Sequence, residues 1–142
     1  MAEGWTTVQV PARADSLQQL RTLVRDSAEA GGFTPAGVED LVLAVNEACM
    51  NVIQHGYRDR MGDIELSVAR FDGGMEFRVR DSAPRVSLED WRPRALDELR
   101  PGGLGVHFIR EIMDEIAYLP LADVTGNLLS MKKYLSDGES HA

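Results

Sequence analysis

The apolar residues of this chain keep two different periods, and the change falls between Tyr57 and Ile64. Before it, Leu17, Leu20, Leu23 and Val24, then Val38, Leu41, Val42, Val45, Cys49, Val52 and Ile53, recur at spacings of three and four. After it, Ile64, Leu66 and Val68 alternate with polar residues, and so do Met75, Phe77 and Val79. The first period belongs to helices with one buried stripe and the second to strands with one covered face. A chain divided this way is neither a helix bundle nor a β-sandwich. It predicts an α+β fold, a two-layer sandwich with helices on one face of a mostly antiparallel sheet.

Punctuation places the elements. Thr6–Val10 is β-branched and alternating, and Pro11 ends it. Asp15 or Ser16 is placed to cap a helix that runs to about Ala30, with Gly31-Gly32 as its stop. Thr34 followed by Pro35 opens a second helix reaching about Gln54. FDGG, residues 71–74, turns a hairpin. Residues 82–102, with their prolines, charges and Trp91, keep no period and read as a long loop with at most one helical turn. Loops of that length inside a compact domain are usually functional. GGLGVHFIREIMDEI, from 102, opens a helix directly from glycines. Strands around Ile116–Leu119 and Leu128–Tyr134 close the chain, with Gly126-Asn127 as turn residues before the last.

At 142 residues the chain has the size of one domain, residues 1–142 with a core at about 5–135 and a loose tail at about 137–142. One cysteine permits no internal disulfide, which fits a reducing compartment, and no signal peptide or spanning segment is visible, so a cytoplasmic location is expected. The net charge of −8 argues against a nucleic-acid partner but not against a nucleotide held by backbone N–H groups and a metal ion.

The second helix carries the first functional signal. Opposite its apolar stripe lie Glu47, Asn51, Gln54, His55 and Arg58, with Ala44 among them. A solvent-facing surface accounts for such residues. Spacing permits a sharper reading, because Glu47 and Asn51 stand one above the other, and a carboxylate base beside an amide oxygen suits Mg²⁺ chemistry. Glycines 102, 103 and 105 at a helix start let backbone N–H groups approach a phosphate, or simply allow close packing. No Lys-Ser/Thr follows them, and Phe108 occupies the third-glycine place of a dinucleotide fingerprint. Between the two motifs Asp81 ends a strand, where it is either a turn residue or an acceptor for an adenine amino group. Cys49 lies on the apolar stripe, and the three histidines show no zinc-ligand spacing.

E-x-x-x-N on a helix, Asp after a strand, a loop and then G-x-G opening a helix occur here in an order that resembles the Bergerat-type ATP-binding fold of histidine kinases and gyrase B. More narrowly, NEACMNVIQHGY, GGLGVHFIREIMDEI and GNLLSMKKYL look like the bacterial anti-sigma factor serine kinases, over roughly residues 5–135. The resemblance implies an ATP- and Mg²⁺-dependent serine/threonine-protein kinase. Glu47 would activate the acceptor hydroxyl, Asn51 would hold Mg²⁺ against the phosphates, and Asp81 would recognise adenine with Ala83 beside it. Residues 82–102 would form a lid, Gly102, Gly103, Leu104 and Gly105 would line the phosphates, and Arg100 would lie near a basic lid position. His55 and Gly56 would be structural or at the pocket edge.

By the same resemblance the partners would be a STAS-fold antagonist, which the kinase phosphorylates, and a sigma factor, which it sequesters. A homodimer would be in keeping with the family. Two rivals stand beside this: a nucleotide-loaded adaptor without phosphotransfer, and a stressosome-type switch kinase acting on scaffold proteins. One departure marks the sequence. The wider pattern after the adenine aspartate is D-x-G-x-G, and here it reads DSAPR, with Pro84 and Arg85 stiffening the segment.

Overall fold

The computed structural model describes residues 4–57, 61–85, 103–121 and 126–136, without the side chains of 103–107. In chain order these form β1 (Thr6–Pro11), a 3₁₀ turn at Ala14–Ser16, α1 (Leu17–Ala30), α2 (Pro35–Asn51) and a π-helical turn at Val52–Gly56. There follow β2 (Asp63–Phe71), β3 (Gly74–Asp81), α3 (Gly103–Ile112), β4 (Glu115–Tyr118) and β5 (Asn127–Tyr134). The strands make one antiparallel sheet in the order β1-β2-β3-β5-β4, with the α+β architecture expected from the two periods.

Alternation fixes the register. Val8, Leu66, Val79, Leu129 and Tyr118 form one row across all five strands, and Val68, Phe77, Met131 and Ile116 form the next. Phe77, Leu66 and Met131 have no exposed surface, and a slip of one residue would turn every such side chain away from the core. Asp72-Gly73 makes the hairpin turn, with Gly73 at φ +93°, a conformation that glycine adopts without strain.

Thr34 caps α2 as its sequence predicts: its Oγ accepts from the Gly37 N–H at 3.1 Å, with Pro35 in the first turn. The start of α1 differs from expectation. Neither Asp15 nor Ser16 supplies a side-chain cap. Asp15 instead takes a bond from Arg13 Nε at 3.1 Å, and the 3₁₀ turn leads the chain into the helix.

A second difference concerns α2, which lies against α1, α3 and β3 at once. Ala44, grouped by spacing with the polar residues, is completely buried, and Ala48 is buried beside the core. The buried arc is therefore wider than the Val38–Ile53 stripe, and small residues let neighbouring elements come close. Asn127 is not a turn residue but the first residue of β5, paired with Asp81 and buried.

The other face of the sheet is polar. There Glu76 is buried and accepts from Ser130 Oγ at 2.6 Å and Arg78 Nε at 2.7 Å, while the Arg78 guanidinium lies 4.5 Å from the centroid of the Trp5 ring.

Candidate nucleotide site

Glu47 and Asn51 share one face of the last turns of α2. Glu47 is half-buried, and burial pushes its carboxyl above the ordinary range with no hydrogen bond to offset it. A carboxyl raised in this way holds a proton more tightly than a free glutamate, which makes it the stronger base of the two. The Asn51 side chain is stranger. Its carbonyl oxygen, Oδ1, is buried and has no hydrogen-bond partner; it is the one such side-chain atom among the described residues. An orphaned buried acceptor costs about 1–3 kcal/mol, so natural structures rarely keep one without a use.

Just after Asn51 the helix widens. The Tyr57 N–H reaches back to the Val52 carbonyl at 2.8 Å, closing a π turn, a feature frequent at functional sites. That turn delivers Tyr57, buried, to a bridging position. Its hydroxyl donates to the Asp63 carbonyl at 2.8 Å and accepts from the Ser82 N–H at 2.8 Å. The end of α2 is thereby tied to the residue that follows Asp81. Gly56 is part of the same joint, because a Cβ there would stand 3.1 Å from the Cβ of Ala83.

Asp81 is buried at the end of β3. Its Oδ1 accepts from the Ala83 N–H at 2.9 Å and from Asn127 Nδ2 at 2.9 Å. Burial pushes this carboxyl up, and those two bonds pull partly against it. The bond to Ala83 closes an Asx turn, so DSAPR bends back on itself without the glycines of the wider pattern. Ala83 is buried where a glycine would otherwise stand. Gly126 completes the enclosure at φ +93°, where a Cβ would come within 2.5 Å of the Asp81 carbonyl oxygen.

The helix expected from GGLG is present as α3, with Gly103, Leu104 and Gly105 in its first turn, and it packs along α2, the helix of Glu47 and Asn51. Arg100, Gly102 and most of the 82–102 lid lie outside the described residues. Cys49 is inside the core, its thiol pushed up to about 12 by burial, and so offers no nucleophile.

Sequence reasoning did not single out Tyr57 or Asn127 for the site. Tyr57 closes the motif NEACMNVIQHGY, and Asn127 follows a glycine at the start of a strand; only tertiary pairing brings Asn127 to Asp81 and Tyr57 to the neighbouring Ser82. Among the described residues no cluster of three or more His, Cys, Asp or Glu side chains could cage a metal. A metal here would need ligands from phosphates and water besides Asn51, which is the habit of Mg²⁺.

A five-stranded antiparallel sheet backed by helices, with E-x-x-x-N on the central helix and a buried aspartate at a strand end, defines the class of histidine kinase-like ATPase domains. The sequence profile of that domain matches residues 10–133, and the chain belongs to this family. Within it the chain belongs with the RsbW group. It is 30% identical over 138 residues to the serine-protein kinase RsbW of Bacillus subtilis strain 168, covering 91% of this chain and 84% of the relative. RsbW of Halalkalibacterium halodurans is also 30% identical, covering 92% and 83%. A crystal structure of the RsbU and RsbW domains of a Mycobacterium tuberculosis protein has the same fold, with a TM-score of 0.65 at 20% identity. That match covers 94% of this chain and 33% of the larger protein. No helix among the described residues is long and apolar enough to cross a membrane.

Proposed function

We propose that this chain is a serine-protein kinase that transfers the γ-phosphoryl group of ATP to a serine of a STAS-fold antagonist, and that it sequesters a sigma factor when that antagonist is unavailable. The observation that carries the reading is the orphaned Oδ1 of Asn51 one turn from the half-buried carboxyl of Glu47. Similarity to serine-protein kinases over most of the chain supports the same conclusion.

Each residue has a task in this mechanism. Asp81 accepts a hydrogen bond from the adenine amino group. The backbone N–H groups of Gly103, Leu104 and Gly105 face the phosphates at the start of α3, where free donors and the helix dipole favour negative charge. By resemblance to the family, Gly102 and Arg100 would also contact the phosphates. Asn51 would hold Mg²⁺, which supplies charge neutralisation along the phosphates when bound. Glu47 takes the proton of the acceptor serine as its Oγ bonds to the γ-phosphorus; the bond to the β–γ bridging oxygen breaks and ADP leaves. Exclusion of water falls to the 82–102 segment, and a sigma-factor partner would place the protein in the cytoplasm.

A nucleotide-loaded adaptor takes its support from DSAPR. The Asx turn around Asp81 lets that segment bend without glycine and serves either reading, whereas the half-buried carboxyl of Glu47 favours the kinase. The test is transfer of label from γ-labelled ATP to a STAS-fold partner with a single acceptor serine. Wild-type labelling that is lost in Glu47→Gln and in the serine-to-alanine partner supports the kinase. ATP binding with no labelled partner would leave the adaptor.

A further inference from the structure

Asp81 and Asn127 are register partners at the ends of β3 and β5, both buried. The amide nitrogen of Asn127 uses both of its hydrogens: one goes to Asp81 Oδ1 at 2.9 Å and the other to the Pro84 carbonyl at 3.1 Å. That fixes which way the amide points. Flipped, its oxygen would face a carboxylate on one side and a carbonyl on the other, acceptor against acceptor. With the Ala83 N–H as second donor, Oδ1 of Asp81 is fully engaged, whereas Oδ2 takes no hydrogen bond from any described residue.

We propose that Asn127 is the positioning residue that sets base selectivity: by holding Oδ1 it leaves Oδ2 as a pure acceptor, which admits a purine with a 6-amino group and rejects one with a 6-oxo group. This rests on the reading of the site as an ATP site. An acceptor facing the 6-amino group of adenine makes a hydrogen bond; facing the 6-oxygen of hypoxanthine or guanine, it meets a second acceptor. A buried polar group left opposed in this way supports large discrimination. Without Asn127 the carboxyl keeps one anchoring bond, turns more freely, and loses one of the two donors that favour its ionised form. A carboxylate held on one bond meets the 6-amino group less firmly and can swing clear of a 6-oxo group, so selectivity falls more than affinity.

The experiment is calorimetric titration of the full chain with ATP and with ITP, for wild type, Asn127→Leu and Asn127→Ser, with the thermal midpoint of each as a folding control. Wild type is expected to favour ATP by about 100-fold or more. In Asn127→Leu the ATP-to-ITP ratio is expected to fall by at least about tenfold, with partial recovery in Asn127→Ser, which keeps a donor. Should the leucine variant fail to fold, the serine variant carries the comparison, with a ratio between unity and that of wild type. Equal weakening of ATP and ITP, with the ratio unchanged, would overturn the role of Asn127 and make it a structural residue only. A wild-type chain that binds neither nucleotide would overturn the ATP reading itself, an outcome distinguishable from the first because it needs no variant.

Discussion

The carbonyl oxygen of Asn51 lies buried and unbonded one helical turn beyond Glu47, whose own carboxyl is held above the ordinary range by burial. Neither group is where stability alone would put it. An apolar residue at 51 and a neutral one at 47 would cost less in the unliganded chain, which makes the pair the candidate for a site whose polar groups a ligand completes.

Glu47→Gln should abolish phosphotransfer while leaving ATP binding within about threefold, and should raise the thermal midpoint at neutral pH. The sign follows from the raised carboxyl. Its ionised form is disfavoured by folding, so stability from this group is fully present below the ordinary glutamate range near pH 4.3 and is lost as pH rises through the folded value. The gain from glutamine is therefore expected at pH 7 and absent near pH 3.5. Melting curves at both pH values check it; a lower midpoint at pH 7 would contradict it.

Asp81→Asn can keep both anchoring bonds if the amide oxygen takes the place of Oδ1. The amide nitrogen then stands where Oδ2 stood and offers a donor. ATP binding should weaken by about 100-fold and the preference should move toward ITP. Titration with the two nucleotides decides it, and an unchanged preference for ATP would speak against Asp81 as the base-recognition group.

Gly126→Ala should destabilise the chain by roughly 1–3 kcal/mol and weaken ATP binding at the same time. The residue is at φ +93°, and its Cβ would meet the Asp81 carbonyl oxygen at 2.5 Å. Denaturant melts and nucleotide titration together test this. Gly73→Ala, in an open turn at the same φ, is the control: strain without a steric contact, and no effect on nucleotide.

On the opposite face of the sheet, burial pushes the Glu76 carboxyl up, but bonds from Ser130 and Arg78 and the nearby Lys132 charge outweigh it and hold it below the usual carboxylate range. This group therefore stabilises the fold above the ordinary glutamate range, and the contribution is lost as pH falls through its lowered folded value. Glu76→Gln should cost roughly 1–3 kcal/mol at pH 7 and progressively less in acid, read from urea melts across pH. Nucleotide affinity should not change.

Much of this was legible beforehand because alternation and helical spacing report one neighbour each. The β2–β3 hairpin, the Thr34 cap and the order of elements depend on contacts close in sequence. The α2 stripe was incomplete for the complementary reason: Ala44 is buried by elements that its local spacing does not describe, since α2 meets α1, α3 and β3 together. Asp15 was a reasonable cap until Arg13, two residues away, claimed its carboxylate. At the candidate site, Glu47, Asn51 and Asp81 stand out in the sequence as polar residues in a recurring order. Their supporting residues did not, because Asn127 meets Asp81 only through the β3–β5 register and Tyr57 meets Ser82 only through the π turn.

The most direct test of the central claim is calorimetric titration of the chain with ATP, with and without Mg²⁺, beside Asn51→Ala. Wild type should bind, and Mg²⁺ should tighten the binding by about tenfold or more. Asn51→Ala should lose the Mg²⁺-dependent part while melting no lower than wild type, since it removes an orphaned buried acceptor. Equal Mg²⁺ dependence in wild type and Asn51→Ala would contradict the account.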